Sequence, residues 1–317
     1  MASVACIGEC MIELREAQDW PAGLYSRAFG GDTLNTAVYL ARLDVNVDYL
    51  TALGDDGFSD EMVSAWAAEG IGTRRVLRLP AKVPGLYMIQ KDAKGRRRSF
   101  CWRENSAACW LMDIPQTDEI LNSLTSYDIV YFSAITLSIF DGIGRARLMA
   151  AVKRARLLGT HFVFDTNFRS SGWPNLDVAR QAFGAALEVA DIVLASAEDL
   201  LALYPGESHE NLMARIPSPE LVFRFAEPGS FVRFAGGAGE VSVEPLTRRV
   251  VDTTAAGDGF AAAYIAARLA GSNPIDAAHA GHHLAGLVIC HPGAIIPAYA
   301  MPPKRRRRPT TARIQPW

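Results

Sequence analysis

Hydrophobic positions along the chain follow two alternating rhythms. Five short runs are apolar at nearly every position: SVACIG (3–8), VDYLTALG (47–54), YDIVYFSA (127–134), THFVFDTN (160–167) and ADIVLASA (190–197). Between them lie stretches with apolar residues three and four apart, TLNTAVYLARL (33–43), DEMVSAWAAEG (60–70), RARLMAAVKRARLLG (145–159) and VARQAFGAALEVA (178–190). A strand that is apolar on consecutive residues has both faces covered, which is the condition of a parallel sheet between helices. The alternation therefore predicts an α/β fold, a mostly parallel central sheet with helical layers on its faces.

Three regions break this rhythm. MIELRE with SRAFGG, and GLYMIQKDAKGRRRSFCWRE (85–104), mix apolar and polar residues like half-exposed strands. The second holds a turn signal, DAKG, and reads as a hairpin. Together they predict a small β appendage formed by about 11–30 and 80–105. ELVFRFAEPGSFVRFAGGAGEVSVEPL (220–246) reads as an antiparallel meander ahead of the last helices. The final MPPKRRRRPTTARIQPW cannot bury a core. The division expected is one domain over 1–302 and a basic, disordered tail over 303–317, a solvated tail being favoured over a nucleic-acid or membrane contact.

Composition narrows the classes. With 317 residues, half of them hydrophobic, the chain can bury a substantial core, and its net charge of -2 argues against a nucleic-acid or acidic-membrane partner. The first ten residues enter a strand pattern with no secretory signal, and no run approaches a membrane span. Cys6, Cys10, Cys101, Cys109 and Cys290 match no zinc or redox spacing. Incidental thiols in a reducing compartment are expected, hence the cytoplasm.

Two stretches could carry chemistry. In VVDTTAAGDGFAAAYIAARLAG (250–271) a helix is expected to start near Gly257, so that the N–H groups of Ala255, Ala256, Gly257 and Asp258 converge where no large side chain blocks an anion. Asp258 beside that anion suits a base taking a proton from a hydroxyl. An ordinary capped helix start with small residues for packing fits the spacing equally well. In FGGDTLNTAVYLARL (29–43), Gly30 and Gly31 precede Asp32, Thr33 and Asn35. These read either as a glycine turn with a cap at Asp32 or Thr33, or as a grip on a hydroxyl-rich ligand by Gly31, Asp32 and Asn35.

The pairing of GGD-x-x-N with DTTAAGD-x-F, in an α/β chain of this length, resembles the PfkB-type, ribokinase-like carbohydrate kinases, over roughly Val4 to Pro302. The resemblance implies a three-layer α/β/α sandwich with a small β-sheet lid, ATP and Mg2+ as cofactors with a monovalent cation as a further candidate, and a homodimer or higher homo-oligomer. It implies Asp258 as catalytic base and Ala255, Ala256 and Gly257 as the anion hole. Asn167 and Arg169 follow a strand end, where such folds place ligands. Ser196-Ala197-Glu198-Asp199 stands where the family carries N-x-x-E, which implies Asp199 or Glu198 toward the metal and Ser196 toward the nucleotide. Arg224, Ala226 and Gly229 fall in a turn that touches the nucleotide in the family, where Ala226 replaces a usual glycine. His282 falls near adenine-pocket positions, whereas His279, His282 and His283 read in themselves as a polar helix face.

IGECMIEL, PGLYMI, WRENSAA and GAIIP look more like the branch acting on 2-keto-3-deoxygluconate than like ribokinases or fructokinases. That likeness implies substrate roles for Gly31, Tyr87, Trp102, Arg103, Arg169 and Asp258, with Arg103 and Arg169 clamping a carboxylate. Strand alternation alone leaves the direction of Tyr87 open. The expected reaction is ATP-dependent phosphorylation of a sugar acid at its primary hydroxyl. The alternatives are a neutral-sugar kinase and a catalytically weak sugar-acid-binding regulator.

Overall fold

The computed structural model describes residues 2–16, 23–91, 97–226, 229–243 and 249–302. The DAKG turn, the Glu227-Pro228 tip of the RFAEPG turn and the basic tail from 303 lie outside the described residues.

The strands are β1 (Ser3–Ile7), β2 (Met11–Glu16), β3 (Tyr25–Gly30), β4 (Asn46–Gly54), β5 (Val76–Leu79), β6 (Gly85–Lys91), β7 (Arg97–Trp102), β8 (Ile129–Ser133), β9 (His161–Asp165), β10 (Ile192–Ser196), β11 (Glu220–Arg224), β12 (Gly229–Phe234) and β13 (Gly237–Ser242). The helices are α1 (Asp32–Arg42), α2 (Gly57–Ala68), α3 (Thr117–Ser123), α4 (Ala134–Ser138), α5 (Gly142–Leu157), α6 (Leu176–Leu187), α7 (Ala197–Leu203), α8 (His209–Ala214), α9 (Ala256–Leu269) and α10 (Pro274–Val288).

Nine strands form one sheet in the order β13-β12-β11-β10-β9-β8-β1-β4-β5. From β11 to β5 every pairing is parallel, and β12 and β13 close one edge as the antiparallel meander read from the sequence. Strand order reverses between β1 and β8, the switch point at which the crossovers leave a crevice at the strands' carboxyl ends.

Each apolar run splits its side chains between two cores, as strand alternation requires. Val4, Cys6, Ile129, Tyr131, Val163 and Leu194 face α1, α2, α9 and α10. Ala5, Ile7, Val130, Phe132, Phe164 and Val193 face the layer made by α3 to α8. The three-layer α/β/α sandwich is thus present. Within the described residues no helix is long and apolar enough to cross a membrane.

The appendage is a second sheet in the order β3-β2-β6-β7. The chain enters it after the three residues that follow β1 and returns to the main body through Gly30 and Gly31 into α1. Gly31 has to be glycine for a steric reason, because a Cβ there would strike the Glu9 carbonyl.

α9 and α10 pack closely because Gly281 brings α10 onto the Phe260 ring, a Cβ at 281 standing 2.8 Å from it. Phe260 in turn supports the Arg224 guanidinium, 5.1 Å above the ring. Gly281→Ala must push Phe260 aside, which is expected to cost about 1–3 kcal/mol of stability by urea denaturation, the usual cost of overpacking.

Candidate active site

Strand ends set the site. Ser133, Asp165, Ser196 and Arg224 are the last residues of β8, β9, β10 and β11; Ser133 stands opposite Asp165 and Ser196 opposite Arg224, with β10 running two residues beyond β9, where Asp165 pairs with Leu194. Their side chains therefore gather at the carboxyl edge, facing the N-terminal ends of α1 and α9.

α9 begins abruptly. Asp252 accepts hydrogen bonds from the N–H of Thr254 (2.9 Å) and its hydroxyl (2.6 Å), and Ala255 then turns into the left-handed region at φ 61°. The Ala256 N–H donates to the Thr253 carbonyl at 3.3 Å, so it is not aimed at an anion as the spacing predicted. The N–H groups of Ala255, Gly257 and Asp258 have no acceptor among the described residues. They form an open helix end carrying partial positive charge. The Arg224 Nη1 lies 3.0 Å from where a Gly257 Cβ would stand, so the missing side chain lets the guanidinium lie close against this backbone.

Asp258 makes no capping hydrogen bond. It is buried, and its Oδ2 accepts from the Asn35 amide at 2.8 Å. The capped-helix reading of this residue therefore does not hold. Burial, then the Asp32 charge, pushes its pKa well above the ordinary carboxylate range, while the Asn35 hydrogen bond acts in the opposite direction.

Asp32 and Thr33 do not cap α1, whose cap position is Gly31 with no side-chain hydrogen bond. The Asp32 carboxylate instead accepts from the Ser133 hydroxyl and from the Asn167 amide at 3.0 Å. Asn167, which follows the end of β9, is thus joined to Asp32, one of the residues read as a grip on a hydroxyl-rich ligand.

Asp199 accepts from the Thr166 hydroxyl (3.1 Å) and pairs with Arg169 at 3.3 Å. Glu198 is exposed and outside this cluster, so of the two acids only Asp199 is held in it. Ser196 caps α7, its hydroxyl accepting from the Asp199 N–H at 3.5 Å.

Asp165, unmarked by the sequence reading, is buried and pairs with Arg224 at 3.3 Å. Desolvation and the charges of Asp199 and Asp32 outweigh Arg224 and push its pKa up to about 6. His282 shares its Nε2 with the Ser230 hydroxyl at 3.0 Å and meets Phe260 edge-on. Burial, then Arg224 and His279, lowers its pKa to about 4, so it is neutral near pH 7. Gly229 has φ 156°, and its carbonyl accepts from Phe225 to close the turn after β11; Ala226 in that turn is exposed.

The small sheet supplies the remaining candidates. The Tyr87 hydroxyl donates to Glu13 and lies against Gly30, which settles its direction. Arg103 is held by the buried Glu9, Nε to Oε2 at 2.7 Å, and Ser106 binds the other oxygen at 2.5 Å. Both arginines expected to clamp a carboxylate thus carry acid partners, Glu9 for Arg103 and Asp199 for Arg169. Trp102 is exposed and stacks on Phe100.

A carboxyl group whose pKa is raised by folding destabilises the folded state once ionised. The loss develops as pH rises from the unfolded value near 4 through the folded value. Asp258→Asn is accordingly expected to raise Tm at pH 8, with the gain shrinking toward pH 4, in differential scanning fluorimetry.

Comparison with known proteins gives this geometry a family. The model of the pfkB family carbohydrate kinases matches residues 1–300. The 2-dehydro-3-deoxygluconokinase of Dickeya dadantii is 40% identical over 95% of this chain and 98% of its own, and that of Escherichia coli K12 is 38% identical over 94% and 98%. Among solved structures, the 2-dehydro-3-deoxygluconokinase of Thermotoga maritima superposes with a TM-score of 0.81 at 20% identity, covering 93% of this chain and 94% of that one. A ribokinase II from E. coli solved with ATP and Mg2+ gives 0.79 at 24% identity, covering 93% and 95%. The fold is therefore ribokinase-like, and the chain belongs to the pfkB family of carbohydrate kinases.

Proposed function

We propose that this kinase transfers the γ-phosphoryl group of ATP to the primary hydroxyl of 2-keto-3-deoxygluconate (2-dehydro-3-deoxygluconate), giving the 6-phosphate and ADP. The observation that carries the reading is the buried Asp258 at the open end of α9, beside N–H groups without acceptors. The likeness to two 2-dehydro-3-deoxygluconokinases across nearly the whole chain supports the substrate.

In this reading the Asp258 carboxylate takes the hydroxyl proton as the hydroxyl oxygen bonds to the γ-phosphorus. The bond from that phosphorus to the bridging oxygen breaks and ADP departs. The amides of Ala255, Gly257 and Asp258, with Arg224, hold the charge on the transferring group, since phosphoryl transfer depends mainly on positioning and electrostatics. Asn35 orients Asp258 toward the sugar. Asp258 has to be ionised to act; the Asn35 hydrogen bond and the Arg169 charge favour that form, against the burial and the Asp32 charge that oppose it.

Mg2+ suits the remaining acids. Asp165 and Asp199 are oxygen donors close enough for the Asp199 charge to raise the pKa of Asp165. No set of three His, Cys, Asp or Glu forms a cage among the described residues, which fits an ion arriving on phosphates and needing one or two carboxylates. Bound there, it would neutralise the phosphates. We assign Ser196, Asn167, Arg169, Gly229 and His282 to the nucleotide side, and Gly31, Asp32, Tyr87, Trp102 and Arg103 to the sugar side. The small sheet is then the lid that excludes water from the transfer. We take the compartment to be the cytoplasm, where the five free cysteines stay reduced.

Arg103, although paired with Glu9, is the cation we assign to the substrate carboxylate. Arg103→Ala should raise KM for the keto acid at least tenfold, with a smaller effect on KM for ATP. Equal effects on the two would remove the carboxylate contact. Asp258→Asn should lower kcat on the order of 10²–10⁴-fold, the range for a lost acid–base group, with sugar binding by calorimetry nearly unchanged. A near-normal rate would remove Asp258 as the base. Phosphorus NMR of the wild-type product should show a monoester coupled to two methylene protons, and coupling to a methine instead would remove the primary hydroxyl.

A further inference from the structure

Arg15 belongs to the small sheet, yet its side chain reaches the loop that shapes the start of α9. We propose that Arg15 is a positioning residue that locks strand β2 to the 252–256 loop. Sugar side and anion site would then hold one common geometry. The proposal rests on the kinase reading and adds to it a residue that contacts neither reactant.

Asp252 is the anchor. It is 4% exposed, and its two oxygens are divided between tasks. Oδ1 takes both Thr254 donors and thereby bends the loop into the left-handed turn at Ala255. Oδ2 accepts from Arg15 Nη1 and from the Gly293 N–H, each at 3.1 Å. Gly293 has φ +92°, a conformation glycine adopts freely, and a Cβ there would stand 3.5 Å from Arg15 Nη1.

The lock extends both ways. Toward the sugar side, Arg15 Nε pairs with Glu13, two residues earlier on the same face of β2, and Glu13 receives the Tyr87 hydroxyl. Toward α1, Tyr39 donates to the Ala294 carbonyl at 2.6 Å and accepts from Ile296, while Arg42 binds the Ile296 carbonyl at 2.6 Å. α1 carries Asn35, which holds Asp258. One guanidinium thus joins two buried acids, Glu13 and Asp252, whose side chains are 4% and 3% exposed. Without it both acids lose the cation they share and nothing ties β2 to the loop, so the loop or the strand is free to shift. Misplacing a reacting geometry by about 1 Å can cost on the order of 100-fold in rate.

The test compares wild type, Arg15→Met and Arg15→Lys by steady-state kinetics with 2-keto-3-deoxygluconate and ATP. Hydrogen–deuterium exchange of the 252–258 segment is measured on the same proteins without substrates. For Arg15→Met we expect kcat reduced by about 10–100-fold, KM for the keto acid changed less than about threefold, and faster exchange in 252–258. Arg15→Lys keeps the charge but not the fork and should fall between. Should Arg15→Met not fold, Arg15→Lys carries the test, with lowered kcat and faster exchange at an unchanged Tm. Wild-type kcat, or unchanged exchange of the segment, in a folded variant overturns the proposal. A wild-type protein that turns over no keto acid overturns the kinase reading instead, and the exchange comparison still decides whether Arg15 holds the loop.

Discussion

The structure is organised around a carboxylate that is buried among its own kind. Asp258 sits at the first turn of α9 with Asp32 and Asp165 close enough to raise its pKa, and with one amide, Asn35, bonded to it. Concentrating acids in this way costs stability and is tolerated only where cations or donors are distributed to match. Arg224 and Arg169 supply the cations, the open end of α9 supplies dipolar charge, and Ser133, Thr166 and Asn167 saturate the flanking acids. In the proposed function a magnesium nucleotide and a sugar hydroxyl would complete this arrangement.

The sheet makes this concentration possible. Four adjacent parallel strands end in polar residues at the same edge of the sheet, so groups far apart in sequence come into reach of one another, as Arg224 and Asp165 do. α1 and α9 bring their N-terminal ends to the same edge from one face. The small sheet covers it from the other side of Gly30 and Gly31, and the glycines there are required by contact with Glu9 and Tyr87.

Much of this was legible in the sequence. All five apolar runs became strands of the main sheet, because a strand buried on both faces leaves a pattern that no other element of that length produces. β5 left no such trace, being four residues of which three are half-buried and Arg78 is exposed, and α3, α4, α7 and α8 are too short to show a helical period. For the site, the DTTAAGD loop was visible because tiny residues before a buried helix are unusual. Asp32 reads from pattern either as a cap or as a ligand grip, since an acid after glycine at a helix start is common and only the tertiary partners, Ser133 and Asn167, set the cap aside. Asp165 passed as part of a strand, although an acid closing an otherwise apolar run, FDTN, was a usable signal. Glu9, Glu13 and Arg15 could not be found by pattern, because their meaning comes from partners 94, 74 and 237 residues away.

The central claim is that Asp258 and the open end of α9 serve phosphoryl transfer to a sugar acid. Initial rates of ADP release with ATP and Mg2+ test it most directly, comparing 2-keto-3-deoxygluconate with fructose, ribose and gluconate at equal concentrations. The account predicts turnover with the keto acid at least tenfold above the others. Preference for a neutral sugar would contradict the carboxylate assignment while leaving Asp258 as the base, and ligand binding without ADP release from any of the four would contradict the claim as a whole.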